Sequence, residues 1–128
     1  MEQEKTASEI VMDKLNTLPD IILKRENELL DKQIEFDDLT LKHTQTRNKV
    51  YSDVEGEWNL ETGKPIFTND FKRKTETERR LNQISEFIDE EAKLTKLSRE
   101  LAEDKLQVEF LKRKFRAFEV VGLVISSR

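Results

Sequence analysis

The feature that most constrains this chain is an absence. For roughly 50 residues, from residue 69 to residue 121, it contains neither glycine nor proline, and such a run favours helix over every alternative. Within that run Leu94, Leu97, Leu101, Val108, Leu111, Phe115 and Phe118 recur in alternating three- and four-residue steps, with Asp104 as the one polar interruption. That rhythm is the apolar seam of a long helix. Charged residues reach 39% against 35% hydrophobic, so the chain predicts narrow seams and wide solvated faces in place of a large core. Such a composition also suits disorder, but two prolines, three glycines and apolar residues at helical spacing argue for order.

The remaining sequence extends this picture. Residues 1–6 read as a frayed terminus, followed by a short amphipathic helix over residues 7–17 with Ile10, Val11, Leu15 and Leu18 on one side. Pro19 is expected to end it, because the residue before proline is pushed out of the α region. A first long helix is expected over residues 20–51. In it Ile22, Leu29, Phe36, His43 and Val50 share one heptad position, while Glu26, Gln33, Thr40 and Arg47 fill the companion position. Residues 53–68 hold two glycines, a proline and the only tryptophan, Trp58, and read as an irregular loop. A turn over residues 59–64 would allow a short extended pair inside it.

Thr68 or Asn69 is a good cap for the second long helix, expected over residues 69–121. Leu81, Ile84 and Ile88 do not continue in register to Leu94, which suggests a stutter over residues 89–92. Gly122 is expected to stop the helix and leave residues 122–128 as a short apolar tail. The fold class is therefore all-α, a single domain of residues 1–128. It is expected as an elongated antiparallel helical hairpin or coiled coil with a short N-terminal helix and an irregular central loop.

Several function classes find no support. There is no cysteine, hence no disulfide and no thiolate chemistry, and His43 is the single histidine. His43 lies mid-helix on a seam, where packing explains it. The runs Asp89-Glu90-Glu91 and Asp37-Asp38 put adjacent carboxylates in different directions and read as solvated faces. Gly56 and Gly63 lack the GK[ST] element of a phosphate loop. No enzyme, cofactor, metal or small-molecule substrate is expected. No 18-residue apolar stretch occurs and the start of the chain has no apolar signal region, so the expectation is a cytoplasmic protein without membrane contact.

Charge is uneven although the net is only −4. Residues 64–80 carry six bases against three acids, among them Lys64, Lys72, Arg73, Lys74, Arg79 and Arg80, with Trp58, Phe67 and Phe71 beside them. Phosphate contacts with aromatic stacking would suit single-stranded nucleic acid. Intrahelical pairing with Glu76 and Glu78, with Trp58 and Phe67 anchoring the loop, explains the same residues. A second cluster, Lys112, Arg113, Lys114 and Arg116, interleaves with Phe110, Phe115 and Phe118 at the end of the long helix. Complementing the helix dipole accounts for it as well as does binding nucleic acid or an acidic surface on another protein. Helices of about 48 and about 80 Å would not match in a hairpin. The seam from Leu94 to Phe118 would then need a neighbouring subunit, which predicts a homo-oligomer.

The layout also resembles a known family. A charged helix ends in Arg47-Asn48-Lys49-Val50-Tyr51, an irregular segment with Thr62-Gly63-Lys64 follows, and a long helix closes on the basic–Phe stretch of residues 110–118. This resembles the UvsY-type recombination mediators of bacteriophages and, more broadly, small helical proteins of phage and prophage early regions. The resemblance implies an oligomer that binds single-stranded DNA and assists recombinase or replication proteins. It places the bases of residues 64–80 and 112–116 on the DNA. The length of the Trp58 loop and the apolar tail depart from that layout. The alternative is a helical scaffold, assembly factor or inhibitor that grips a host or phage protein through the Trp58 loop and the tail, without nucleic acid.

Overall fold

A computed structural model describes residues 5–127. The expected frayed start falls partly on residues 1–4, which lie outside the described residues, as does the last residue of the tail. The protein is mainly all-α: α1 spans Ala7–Glu55, β1 Trp58–Asn59, β2 Lys64–Pro65, α2 Asp70–Leu81 and α3 Ser85–Ser126. No helix among the described residues is long and apolar enough to cross a membrane. The residues group into two compact units. The first takes the described residues of Met1–Gln33 and Arg99–Arg128, and the second is Ile34–Ser98.

Three expected boundaries are corrected. The short first helix does not stop at Pro19; α1 continues through it for 49 residues. Pro19 lacks the N–H that would bond the carbonyl one turn back, yet it is exposed, while Leu18 within the affected turn and Val11 before it are buried. Packing of the apolar side thus outweighs the local defect. Gly122 does not end α3 either, which runs to Ser126. A side chain at Gly122 would meet Leu15 Cδ1 at 3.3 Å and Val11 Cγ1 at 3.6 Å, so glycine is the close-approach residue of the first unit and not a stop. The residues expected as a loose apolar tail are therefore helical up to Ser126. With α1 at 49 residues and α3 at 42, the length mismatch that argued for a neighbouring subunit disappears.

The long second helix is interrupted, but at residues 82–84 and not at the expected stutter over 89–92. Asn82 caps α2, and the amides of Gln83 and Ile84 bond back three residues, to Arg80 and Leu81. This is a tightened, 3₁₀-like turn. The cause is the spacing of the inward residues: Leu81 (0% exposed), half-buried Ile84, Phe87 (2%) and Glu90 follow one another in three-residue steps, which an undistorted α-helix cannot hold on one face. Overwinding at the link keeps them facing inward.

The second unit buries Val54, Leu81, Phe87 and Leu97, together with Thr77 and Glu90. His43 of α1 stacks on Phe87 at 3.7 Å with the ring planes 10° apart, and Arg47 lies 5.5 Å from the same ring. Lys42 bonds both Glu86 and Glu90 at 3.0 Å, and the Glu90 carboxyl sits below its usual range chiefly because of the Lys42 bond. Lys93 reaches Glu35 at 3.3 Å. The first unit buries Val11, Leu18, Leu101 and Val108. There Lys32 reaches Asp104 at 2.7 Å and Lys112 reaches Glu26 at 3.5 Å.

The seam assigned to an oligomer interface is thus used inside the chain. Leu97, Leu101 and Val108 are buried, and Leu94, Leu111, Phe115 and Phe118 are half-buried, on the side of α3 that these ion pairs bring to α1.

Candidate functional site

The second unit carries the most unusual surface. α1 ends in a turn at Gly56, whose amide bonds the carbonyl of Ser52 at 3.0 Å. The chain then forms a small antiparallel hairpin with Trp58 opposite Pro65 and Asn59 opposite Lys64. The sequence dictates its four-residue loop. Asn59 Oδ1 accepts from the amide of Glu61 at 2.9 Å, and Gly63 adopts φ +65°, a conformation that side chains resist. The Ile66 amide bonds the Glu57 carbonyl at 3.0 Å and extends the ladder. Asn69 then caps α2 by accepting from the Lys72 amide at 2.8 Å.

Ion pairs fasten this hairpin to α2. Arg80 Nη2 donates to Glu57 at 2.7 Å and its Nε to Glu76 at 2.9 Å, while its guanidinium lies 5.9 Å from the Phe67 ring. Arg73 donates to the Phe67 carbonyl at 3.3 Å, and Tyr51 donates to Asp70 at 2.9 Å. Arg79 and Arg80 hold the Glu76 carboxyl down at about 2 through hydrogen bonds.

The sign of the pH effect follows. The folded carboxyl binds its proton less readily than the unfolded one, so Glu76 contributes stability above the ordinary value of 4.5. That contribution is lost as pH falls from there toward about 2. Glu76→Gln is expected to be less stable than wild type at neutral pH and to show a flatter acid limb in urea midpoints. An unchanged acid limb would refute the assignment.

Fastened in this way, the hairpin and the start of α2 hold large apolar side chains in solvent. Trp58 is 54% exposed, Leu60 97% and Phe71 78%, with Ile66 half exposed. Of the two residues expected to form a partner loop, Trp58 faces outward. Phe67 is half-buried under Arg80 and acts as an anchor. Sequence reasoning missed Leu60 and Ile66 as surface residues; the turn over residues 59–64 was the signal that Leu60 sits at a tip.

The expected nucleic-acid residues divide sharply. Lys74 pairs with Asp70 at 2.9 Å, Arg79 with Glu76, Arg80 with Glu57 and Glu76, and Lys112 with Glu26. Arg73 is half-buried against the loop backbone. Lys64, Lys72, Arg113, Lys114 and Arg116 are exposed and make no ion pair among the described residues. The two basic clusters belong to different units. A cleft of about 510 Å³ lined by Arg47, Asn48, Tyr51, Lys74, Thr77 and Glu78 is also charge-balanced, since Arg47 pairs with Glu78. No group of metal-ligating side chains occurs among the described residues. The chain matches no known protein family, no curated protein and no solved structure.

Proposed function

We propose that this chain is a non-catalytic, protein-binding helical module that grips its partner through the Trp58 hairpin and the start of α2. In this reading the α1 and α3 segments of each unit run antiparallel as a coiled-coil hairpin, and the one in the second unit serves as a rigid mount. The observation that carries it is the solvent exposure of Trp58, Leu60 and Ile66 on and beside a hairpin that ion pairs hold in place, and of Phe71 at the start of α2. Exposed apolar side chains on a preorganised element are what a protein interface uses, with aromatic anchors supplying most of the energy.

A single-strand DNA grip needs a positively charged groove beside its aromatics. Here three of the six local bases, Lys74, Arg79 and Arg80, are neutralised by Asp70, Glu76 and Glu57. Fewer phosphate contacts remain available than the six bases suggest, so both affinity and salt dependence would be reduced.

The test compares the intact protein with Trp58→Ala and with Phe71→Ser as immobilised baits, followed by titration of the purified captured protein. Each substitution is expected to weaken the complex by about 2 kcal/mol or more while leaving the unfolding midpoint unchanged. Capture that survives both substitutions would remove the hairpin from the interface. Fluorescence anisotropy with a labelled single-stranded oligonucleotide at two salt concentrations supplies the other arm. Tight, steeply salt-dependent binding would replace the protein-binding reading with a nucleic-acid one.

A further inference from the structure

The last third of α3 is apolar on two opposite faces. One is the inward face already described, with Val108, Leu111, Phe115 and Phe118. The other, turned by about half a revolution at 100° per residue, carries Leu106, Phe110, Arg113, Ala117, Val120 and Val124 in steps of four and three. All six are exposed; Leu106 is 72% exposed and Phe110 65%. With the inward face of the helix already occupied, a second exposed stripe of this length marks an interaction surface. Leu106 and Phe110 also wall a groove of about 390 Å³ whose other side is Arg25 of α1. Arg25 pairs with Glu28 at 3.7 Å, so the cations without a partner among the described residues are those that α3 itself sets along the stripe. Arg113 stands at its middle, with Lys114 on one flank and Arg116 on the other, and none of the three makes an ion pair among the described residues.

Charge decides the occupant. The spacing alone would suit antiparallel pairing with a second copy, Leu106 opposite Val124, Phe110 opposite Val120 and Arg113 opposite Ala117. That register, however, brings Lys114 and Arg116 against their own symmetry mates, with Arg113 between them, and like charges opposed across a seam are repulsive. A bilayer fits no better. Cations snorkel from the borders of a membrane-lying helix, whereas Arg113 would be driven into the acyl layer from the centre of the stripe.

We infer that the outer face of α3 over residues 106–124 binds an acidic amphipathic helix of a protein partner, whose carboxylates meet Arg113, Lys114 and Arg116 between flanking apolar contacts. The partner supplies the carboxylates that Arg113, Lys114 and Arg116 lack among the described residues. This surface lies in the first unit and is independent of the Trp58 hairpin.

The probe is a fluorescein-labelled synthetic helix with leucine on its apolar stripe and glutamate at central and flanking positions; a lysine version serves as its control. Anisotropy with the full chain at low salt should show binding of the glutamate peptide, weaker by about tenfold or more for the lysine peptide. Arg113→Glu and Phe110→Asp should each lower affinity about tenfold or more with an unchanged circular dichroism spectrum. Arg113→Glu should also gain affinity for the lysine peptide, a readout that loss of structure cannot mimic. Trp58→Ala should have no effect. The inference is overturned by no binding of the glutamate peptide, by equal binding of both peptides, or by equal binding to Arg113→Glu. It is also overturned if Phe110→Asp abolishes a concentration-dependent dimer of the chain. Phosphatidylserine–phosphatidylcholine vesicles binding where the peptide does not would overturn it too.

Discussion

Phe87→Ala is expected to lower the free energy of unfolding by about 3–5 kcal/mol, the usual range for deleting a buried phenyl ring. Phe87 is 2% exposed, so its removal forfeits the transfer free energy of the ring and opens a void. The void cannot close by a simple side-chain shift, because His43 lies flat on the ring and Arg47 approaches it. Stacking adds about 0.5–1.5 kcal/mol beyond area and the cation–π contact about 0.5–1 kcal/mol. The loss also bears on Glu90, one helical turn away, a buried carboxylate whose bond to Lys42 depends on the same packing. Urea unfolding followed by circular dichroism measures the effect, with His43→Ala as the milder comparison. A loss below about 1 kcal/mol would mean that the second unit does not depend on this ring.

Pro19→Ala is expected to act in the opposite direction, raising stability by about 2–3 kcal/mol. Proline inside a helix costs about 3 kcal/mol relative to alanine, through the missing hydrogen bond and the clash of its ring with the preceding turn. Pro19 lies inside α1, and its side chain is exposed, so alanine removes the defect without deleting a buried contact. The gain falls short of the full figure because proline also restricts the unfolded chain. The midpoint in urea should rise with the slope unchanged. A fall in stability would show that proline's restriction of the unfolded chain outweighs the helical defect.

How far each feature was legible follows from the kind of information it needs. The cap at Asn69 and the turn over residues 59–64 were legible, because hydrogen bonds within three residues define them. The link at residues 82–84 was not: no glycine or proline marks it, and it arises only because Leu81 and Phe87 are buried by neighbours distant in sequence. Continuity through Pro19 and Gly122 was misread for the same reason. Local propensity predicted stops, and packing around Val11, Leu15 and Leu18 overrode it. In the candidate site, Trp58 was legible as a lone tryptophan in an irregular segment. The neutralisation of Arg79 and Arg80 was foreseeable in part, from Glu76 at helical spacing, but the bond from Arg80 to Glu57 spans 23 residues and was not.

By itself, then, the sequence determined that this protein is helical, that α3 has an apolar seam, and where the helical order breaks for a hairpin. Those properties depend on backbone preferences and on the 3.6-residue period, both written in neighbouring residues. The tertiary structure alone decided what covers the seam and which bases are neutralised. It also decided which apolar side chains are left in solvent. A periodic pattern states that a face must be buried; the partner of that face is chosen by contacts between residues far apart in the chain.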